Sequence, residues 1–404
     1  MKFQKHTLEN GLTLIGETRD EAVSAALGFF VKTGARDESP EVSGVSHFLE
    51  HMMFKGTHNR SALDVTFQLG AIGAQANAWT SEENTVYYMG LLPEYFETGL
   101  ELLSDMLRPS LDPEEFKTEK KVILEEIALY KDRPVHVLFE SSLAEFFKGH
   151  TAGNSVLGST ESVSQLERDK MLDYFNARYT PSNMVFVATG KVDWEKTVEL
   201  VEKHCSSWQD FSVEREYRED QPEDRSKVIR KKDLQGSHVC FVVPGPSAAD
   251  SDRYAVQLLT CMLGDSSGSA AYWEIVDKGL AEVAVIDSDQ MDRTGLIYAY
   301  SSCEPDKLSQ VSEILAGILK NPKNFISEEA FDRAKTKLTS RLVLHGETSM
   351  RRLMAVGTGF IYRGEYSSLK DEVQALEAVQ YSDVVKVLEK FDLSPVTKIE
   401  LLPE

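Results

Sequence analysis

Cysteine is scarce in this sequence, with four residues among 404 and no CxxC pair. The four are Cys205, Cys240, Cys261 and Cys303. Three of them sit in apolar stretches, which favours buried thiols over a disulfide framework. This usage predicts a reducing compartment, and we expect a cytoplasmic protein.

Long apolar runs are also missing. No stretch approaches the roughly 20 apolar residues that a membrane-spanning helix needs. The opening residues, MKFQKHTLENGLTLIGE, lack the apolar centre of a secretion signal and are typical of a strand, a turn and a second strand. We therefore expect neither a membrane span nor a signal peptide.

Positive charge is in deficit, because 44 Lys and Arg face 65 Asp and Glu, for a formal net charge of −21. A chain this acidic repels phosphate, so neither nucleic acid nor a membrane is an expected partner. The charge either keeps the protein in solution or gives a weak preference for basic substrates. The composition is otherwise that of a globular protein, at a length that suits two domains of about 200 residues each.

One segment divides the chain. The stretch SVEREYREDQPEDRSK, residues 212–227, is charged, contains a proline and has no apolar period, which indicates an exposed linker. It separates a first domain, residues 1–211, from a second, residues 228–404.

The two predicted domains repeat one plan. In each, a strand, a Gly-containing loop and a helix precede a pair of strands and an amphipathic helix. Next, DPEEFKTEKKVILEEI in the first domain matches SEEAFDRAKTKLTSRL in the second, with Asp112 and Ser327 as helix N-caps. The predicted fold is α+β, with two homologous domains that each pack helices on a mostly antiparallel sheet.

The stretch VSHFLEHMMFKG carries the strongest chemical signal. Ser43 or Ser46 can cap a helix on which His47 and His51 share one face, close enough to bind one metal ion. Glu50 lies beside them, where a base that activates water is needed. The pattern H-x-x-E-H is that of the inverzincins. A chance pair of helical histidines is the alternative.

A catalytic zinc ion takes three protein ligands, and FKTEKKVILEEIALYKDRP offers the third. Glu119 and Glu126 are two helical turns apart and share a face, whereas Glu125 points about 100° away. The neighbouring face, predicted to lie in the core, carries Val122, Ile123 and Ile127. An inward carboxylate next to such a face is costly unless it is paired or coordinated. A solvated charged helix is the alternative, and it suits Glu125 better than Glu126.

The chain resembles the pitrilysin/insulinase family of zinc peptidases, and within it the processing-peptidase-like bacterial branch. The resemblance rests on GVSHFLEHMMFKGT, NAWTSEENTVYY, EKKVILEEI with DRP, VLGSTESV and YTPSNMVFVATGKVD. In that family a Glu some 75 residues after the second His is a ligand, and here Glu126 follows His51 by 75 residues. The resemblance implies that His47, His51 and Glu126 bind one Zn2+ per chain. It also implies that Glu50 is the catalytic base and that Glu119 supports the ligands or the base.

The function implied is a zinc metalloendopeptidase that hydrolyses short or unfolded polypeptides, with Glu50 activating a zinc-bound water. Family members usually need four such domains to enclose a chamber, so a homodimer or a heterodimer with a related subunit is expected. The alternative is a non-catalytic scaffold or partner subunit, but such relatives usually lose the ligands or the base.

Substrate contacts are implied by the same resemblance. Asn77, Ala78 and Trp79 match a strand whose free edge pairs with the substrate backbone, although Trp79 would also suit a core position. Arg351 and Arg352, in the second domain, match an arginine that reaches the substrate carbonyl, although an arginine pair on a helix is also a common surface feature.

The second domain lacks the metal-site residues. The repeat aligns the positions of the histidines, the base and the third ligand with other residue types: Gln257, Thr260, Cys261 and Arg341. We therefore expect this domain to serve as scaffold.

Overall fold

A computed structural model describes residues 1–217, 223–394 and 397–404. The chain forms two compact units, each built from three segments. Unit 1 comprises Met1–Ala128, Asn154–Glu216 and His345–Ser367. Unit 2 comprises Leu129–Gly153, Tyr217–Leu344 and Ser368–Glu404. Both are sheets with packed helices, so the predicted α+β class is confirmed.

The strands and helices are numbered here in chain order. The strands are β1 Lys2–Thr7, β2 Thr13–Thr18, β3 Ala25–Val31, β4 Gln75–Thr80, β5 Thr85–Leu91, β6 Met184–Gly190, β7 Arg225–Lys231, β8 Ser237–Pro244, β9 Val283–Gln290, β10 Gly295–Cys303 and β11 Thr397–Pro403. The helices are α1 Val45–Met52, α2 Ala62–Ala71, α3 Phe96–Met106, α4 Pro113–Lys131, α5 Pro134–Phe146, α6 Thr160–Gln165, α7 Arg168–Arg178, α8 Trp194–Cys205, α9 Arg253–Gly264, α10 Leu308–Lys320, α11 Glu328–His345, α12 Ser349–Arg363, α13 Leu369–Ala378 and α14 Tyr381–Lys390.

The two sheets share one strand order, which confirms the internal repeat. Unit 1 has the order β1-β2-β6-β3-β5-β4, and unit 2 has the order β7-β11-β8-β10-β9. Apart from β1, each strand of the first sheet has a counterpart in the second. Even the one parallel pair recurs, as β2 with β6 and as β7 with β11. The predicted strand, turn and strand at the start of the chain are β1 and β2.

Strand β3, AALGFFV, is buried along its whole length, because helices cover both faces of the first sheet. On one face Phe29 packs edge-on against Phe186, with ring centroids 5.0 Å apart. On the other face Phe30 meets α12 at Gly357, where an added Cβ would lie 2.2 Å from the Phe30 ring. A glycine is therefore required for α12 to approach the sheet this closely.

Each unit contains a helix from the opposite half of the sequence. Helix α12 packs on β3 and β6 in unit 1, whereas α5 packs on β8 and β11 in unit 2. The compact units therefore differ from the sequential division into residues 1–211 and 228–404. The sequence places Arg351 and Arg352 in the second predicted domain. In the structure they belong to unit 1, which also contains the metal motif.

The predicted linker at residues 212–227 is only partly described, because residues 218–222 lie outside the described residues. Its first part is not simply exposed. The guanidinium of Arg215 is buried and donates two hydrogen bonds to Asp37, at 2.9 and 2.8 Å. Its last part enters β7, which begins at Arg225.

Two further sequence expectations on folding are met. All four cysteines are buried and free. Asp112 and Ser327 cap α4 and α11 through backbone N–H groups. None of the helices in the described ranges is long and apolar enough to cross a membrane.

Arg352 anchors α12 to the sheet of unit 1. Its Nε and one terminal nitrogen donate to the two carboxylate oxygens of Glu17 in β2, at 2.7 and 2.5 Å. The side chains are 3% and 0% exposed. Tyr366 donates a further hydrogen bond to Glu17, at 2.7 Å. Its neighbour Arg351 is exposed.

We predict that Arg352→Ala lowers the free energy of unfolding by about 3–5 kcal/mol, since it leaves the Glu17 carboxylate buried without its cation. Arg351→Ala is the matched control, because this neighbour on the same helix faces solvent, where substitutions usually change stability little. Urea denaturation of both variants provides the comparison. Equal stability of the two variants would contradict the structural role of Arg352.

Candidate metal centre

Helix α1 carries the metal motif and begins at a cap that the sequence did not reveal. Gly44 adopts φ 91°, in the left-handed region that favours glycine. The carboxylate of Glu38 accepts hydrogen bonds from the backbone N–H groups of Gly44 and Ser46, each at 2.7 Å. The expectation of a Ser43 or Ser46 cap was wrong, because Gly44 holds the N-cap position and the Ser46 hydroxyl bonds Tyr174 instead. Burial raises the pKa of Glu38 to about 8, and the two backbone N–H donors oppose this shift.

The three predicted ligands converge. The Nε2 atoms of His47 and His51 lie 3.8 and 3.6 Å from the same carboxylate oxygen of Glu126. Within the described part of the chain, this is the one group of three or more His, Cys, Asp or Glu side chains placed to hold a metal ion. Two imidazoles and one carboxylate form a known catalytic zinc set, and donors about 2.0–2.1 Å from a tetrahedral ion stand roughly 3.4 Å apart. The residues therefore fit zinc.

His47 is kept neutral, as a metal ligand must be. The residue is 8% exposed. Burial, with a smaller contribution from the neighbouring His51, lowers the pKa of His47 to about 3. Its Nδ1 is also buried and has no hydrogen-bond partner among the described residues. The Nε2 atom lies 3.8 Å from Oε2 of Glu126 and is the nitrogen placed to bind a metal.

Glu119 orients the second imidazole. Its Oε1 lies 2.9 Å from Nδ1 of His51, and its Oε2 lies 2.7 Å from Nζ of Lys55. Burial alone would raise the pKa of Glu119, but the hydrogen bonds from His51 and Lys55, together with the charge of Lys55, lower it below the usual value. Conversely, burial alone would lower the pKa of His51, but the hydrogen bond that it donates to Glu119 and the nearby carboxylates raise it. With Nδ1 held in this way, the Nε2 of His51 faces Glu126.

Helix α4 separates two adjacent glutamates. Glu126 is half-buried at the site, whereas Glu125 is exposed. Ile123 and Ile127 are buried as predicted, at 0% and 2% exposure. Val122 was wrongly assigned to the core, because its side chain is 43% exposed. The buried face is thus narrower than expected, and it leaves Glu126 at its border.

The predicted base is held by the strand next to it. One carboxylate oxygen of Glu50, Oε2, accepts a hydrogen bond of 2.6 Å from the hydroxyl of Thr80, the last residue of β4. Burial raises the pKa of Glu50, and the Thr80 bond opposes this shift. A carboxylate with a raised pKa is better matched to proton transfer near neutral pH.

Strand β4 has a free edge, since it pairs with β5 alone among the described strands. The adjoining turn is closed by a hydrogen bond of 2.9 Å from the Ser81 N–H to the Asn84 carbonyl. Because hydrogen-bonded and non-bonded pairs alternate in an antiparallel ladder, the backbone groups of Ala78 and Thr80 face away from β5. The side chain of Asn77 accepts a hydrogen bond of 2.9 Å from the Ala78 N–H.

The other predicted substrate residues differ in how accessible their side chains are. Trp79 is partly buried against the apolar cluster of the sheet face that α12 covers, so the core alternative describes its packing. Asn77 is exposed. Arg352 is occupied by Glu17, which leaves Arg351 as the accessible member of the pair.

Tyr362, which is not among the predicted site residues, contacts the end of the β4–β5 turn. Its hydroxyl accepts a hydrogen bond of 2.9 Å from Nδ2 of Asn84, in the turn that follows β4. The two residues are 278 positions apart, so no local pattern could have indicated the contact.

In unit 2 a salt bridge stands where the repeat places the metal site. Asp265, which directly follows α9, lies 3.1 Å from Nζ of Lys337 and also pairs with Arg341. Arg341 is the counterpart of Glu126. Gln257 and Cys261 replace the two histidines, and all of these residues except Lys337 line a cavity of about 470 Å3.

The chain belongs to the insulinase family of peptidases. Residues 14–160 match the family described as Insulinase (Peptidase family M16), and residues 165–338 match the Peptidase M16 inactive domain. An uncharacterised zinc protease of Mycobacterium tuberculosis is 30% identical, over 94% of this chain and 89% of its own length. Another, from Bacillus subtilis, is 29% identical over 95% of this chain and 94% of its own length.

Solved structures share the fold. A protease from Helicobacter pylori superposes with a TM-score of 0.93 at 23% identity, covering 100% of this chain and 99% of its own. A peptidase M16 inactive domain from Pseudomonas fluorescens gives a TM-score of 0.91 at 15% identity, with coverages of 100% and 98%.

We predict that Glu126→Gln weakens zinc binding by more than roughly 100-fold. Loss of a residue that only supports a ligand typically weakens metal binding by about 10- to 100-fold, and loss of a ligand should exceed this range. Glu125→Gln, on the exposed face of the same helix, should leave affinity unchanged. Zinc titration against a competing chelator would measure both. If Glu125→Gln loses zinc affinity and Glu126→Gln does not, Glu125 is the ligand.

Proposed function

We propose that this chain is a zinc metalloendopeptidase. The observation that carries the proposal is the convergence of His47, His51 and Glu126 within 4.8 Å of one another. Glu50 is carried on the same helix as the two histidines. The zinc-protease names of the relatives point to the same activity.

A zinc ion bound here would polarise the scissile carbonyl and make a water molecule easier to deprotonate. Glu50 is the proton acceptor in this proposal. Because Oε2 is engaged by Thr80, we assign proton transfer to Oε1. The same carboxyl group then returns the proton to the departing amine. Glu119 contributes by holding the His51 ring, and so acts through a ligand rather than on the substrate.

The substrate class follows from β4. An extended peptide can add to the free edge beside Ala78 and Thr80, through main-chain hydrogen bonds that tolerate many side-chain sequences. Only a chain without secondary structure of its own can offer a free backbone there, so we propose short or unfolded polypeptides as substrates. Asn77 and Arg351, both exposed, remain candidates for further contacts.

We predict that Glu50→Gln keeps zinc and fold but lowers the turnover of a quenched peptide library by roughly 10²- to 10⁴-fold, since an amide cannot accept the proton. Glu125→Gln, which exchanges the same groups at an exposed position, should retain wild-type turnover. Metal content and melting temperature of each variant serve as checks.

Two results would contradict this mechanism. Near wild-type turnover in Glu50→Gln would remove Glu50 as the base. A zinc-loaded wild-type chain that cleaves no peptide in the library would instead favour a non-catalytic scaffold or partner subunit.

Assembly into a homodimer, or a heterodimer with a related subunit, is part of the proposal. It is supported by the two repeat units in this chain, because the resemblance implies four such units in a complete enzyme. We predict that light scattering of the purified protein gives the mass of two chains, or does so only after a related subunit is added. A protein that stays monomeric and cleaves peptides at full rate would exclude this assembly.

A further inference from the structure

We propose that Thr80 is a positioning residue for the catalytic base, and that it couples the edge of β4 to Glu50. This inference rests on the proposed peptidase function. It assigns a role to a side chain that belongs neither to the three converging donors nor to the predicted substrate contacts.

The first observation is the hydrogen bond itself. Thr80 Oγ1 donates to Glu50 Oε2 at 2.6 Å, and both side chains are half-buried. A hydroxyl bonded to a carboxylate at this distance is short and charge-assisted, and so stronger than a neutral bond. A β-branched side chain on a strand also has few rotamers, which keeps its hydroxyl in place. Of the two Glu50 oxygens, one is therefore fixed and the other is left for proton transfer.

The second observation is that Thr80 is itself held firmly. The turn after it is tied to the loop between β3 and α1 by backbone bonds from Ala35 to Ser81, at 3.2 Å, and from Arg36 to Glu82, at 2.7 Å. Beneath it, Arg36 and Glu83 form a buried ion pair at 2.5 Å, with both side chains 1% exposed. The end of β4 is thus fixed to the segment that leads into α1. A rigid support of this kind is what precise orientation of a base requires.

The third observation concerns the backbone of Thr80. By the alternation described for β4, its N–H and C=O face the free edge while its side chain faces α1. The backbone of Thr80 therefore lies at the edge proposed for the peptide, and its side chain bonds the base Glu50. A peptide that pairs with the edge would be aligned with Glu50 through a single residue.

Thr189 provides a matched comparison. It is a fully buried threonine on β6 of the same sheet, and its hydroxyl donates to the Ser349 carbonyl at 2.7 Å. This bond joins β6 to α12 and does not involve Glu50. Thr189→Val removes a strand threonine hydroxyl in the same way, but at a purely structural contact.

The test uses zinc-loaded full-length protein and one fluorogenic peptide. Thr80→Val should lower kcat by roughly 10- to 100-fold, the usual range for a partner that orients an active group, with KM, zinc content and melting temperature near wild type. Thr80→Ser, which keeps the hydroxyl, should recover most of kcat. Thr189→Val should lower the melting temperature and leave kcat unchanged.

A double-mutant cycle then asks whether Thr80 acts through Glu50. In the Glu50→Gln background, adding Thr80→Val should change the residual kcat by less than about twofold, because coupled residues are not additive. An equal loss in both backgrounds, or a loss of zinc in Thr80→Val, would overturn the inference. So would wild-type kcat in Thr80→Val while Glu50→Gln is inactive, and that result leaves the proposed function intact. An inactive wild type would overturn both.

Discussion

The hydrogen bond between His51 and Glu119 determines what the metal centre can do, because an imidazole has two nitrogens and only one can face an ion. By occupying Nδ1, Glu119 directs Nε2 toward Glu126. The seven-residue spacing on α4 lets one helix face supply both the support behind the ring and the carboxylate in front of it. Lys55 completes the arrangement, since its ammonium keeps Glu119 charged. The histidine pair on α1 can bind a metal in this arrangement because α4 contributes both Glu119 and Glu126.

Unit 2 shows that the fold alone does not create the metal centre. It has the same strand order and the same pairing of a short and a long helix, yet its cations pair with Asp265 where unit 1 gathers metal donors. In each unit an ion pair also joins the end of the short helix to the long helix, as Lys55 with Glu119 in unit 1 and as Asp265 with Lys337 and Arg341 in unit 2. The scaffold therefore permits either, and a few side chains decide whether a unit can perform metal chemistry.

Features set by local spacing could be predicted from the sequence. The two histidines, Glu50 and the face that carries Glu126 all follow from helical periodicity, and the repeated succession of strands and helices along the chain follows from the apolar patterns. Contacts between distant segments could not. Glu38 reaches α1 from an irregular loop, Thr80 meets Glu50 across 30 residues, and Arg352 finds Glu17 across 335. Nothing in the composition around these residues signals their partners.

The exchange of α5 and α12 has a consequence for how the protein is made. The apolar sheet face that holds Phe30 is covered by residues 349–363, which leave the ribosome only after both sheets except β11 have been synthesised. Until then, the nascent metal-binding unit exposes that face, and an exposed apolar sheet face is prone to aggregation or chaperone capture. Dividing the gene at the charged segment would leave each fragment without one covering helix. Maturation of the metal-binding unit must therefore wait until α12 has been synthesised.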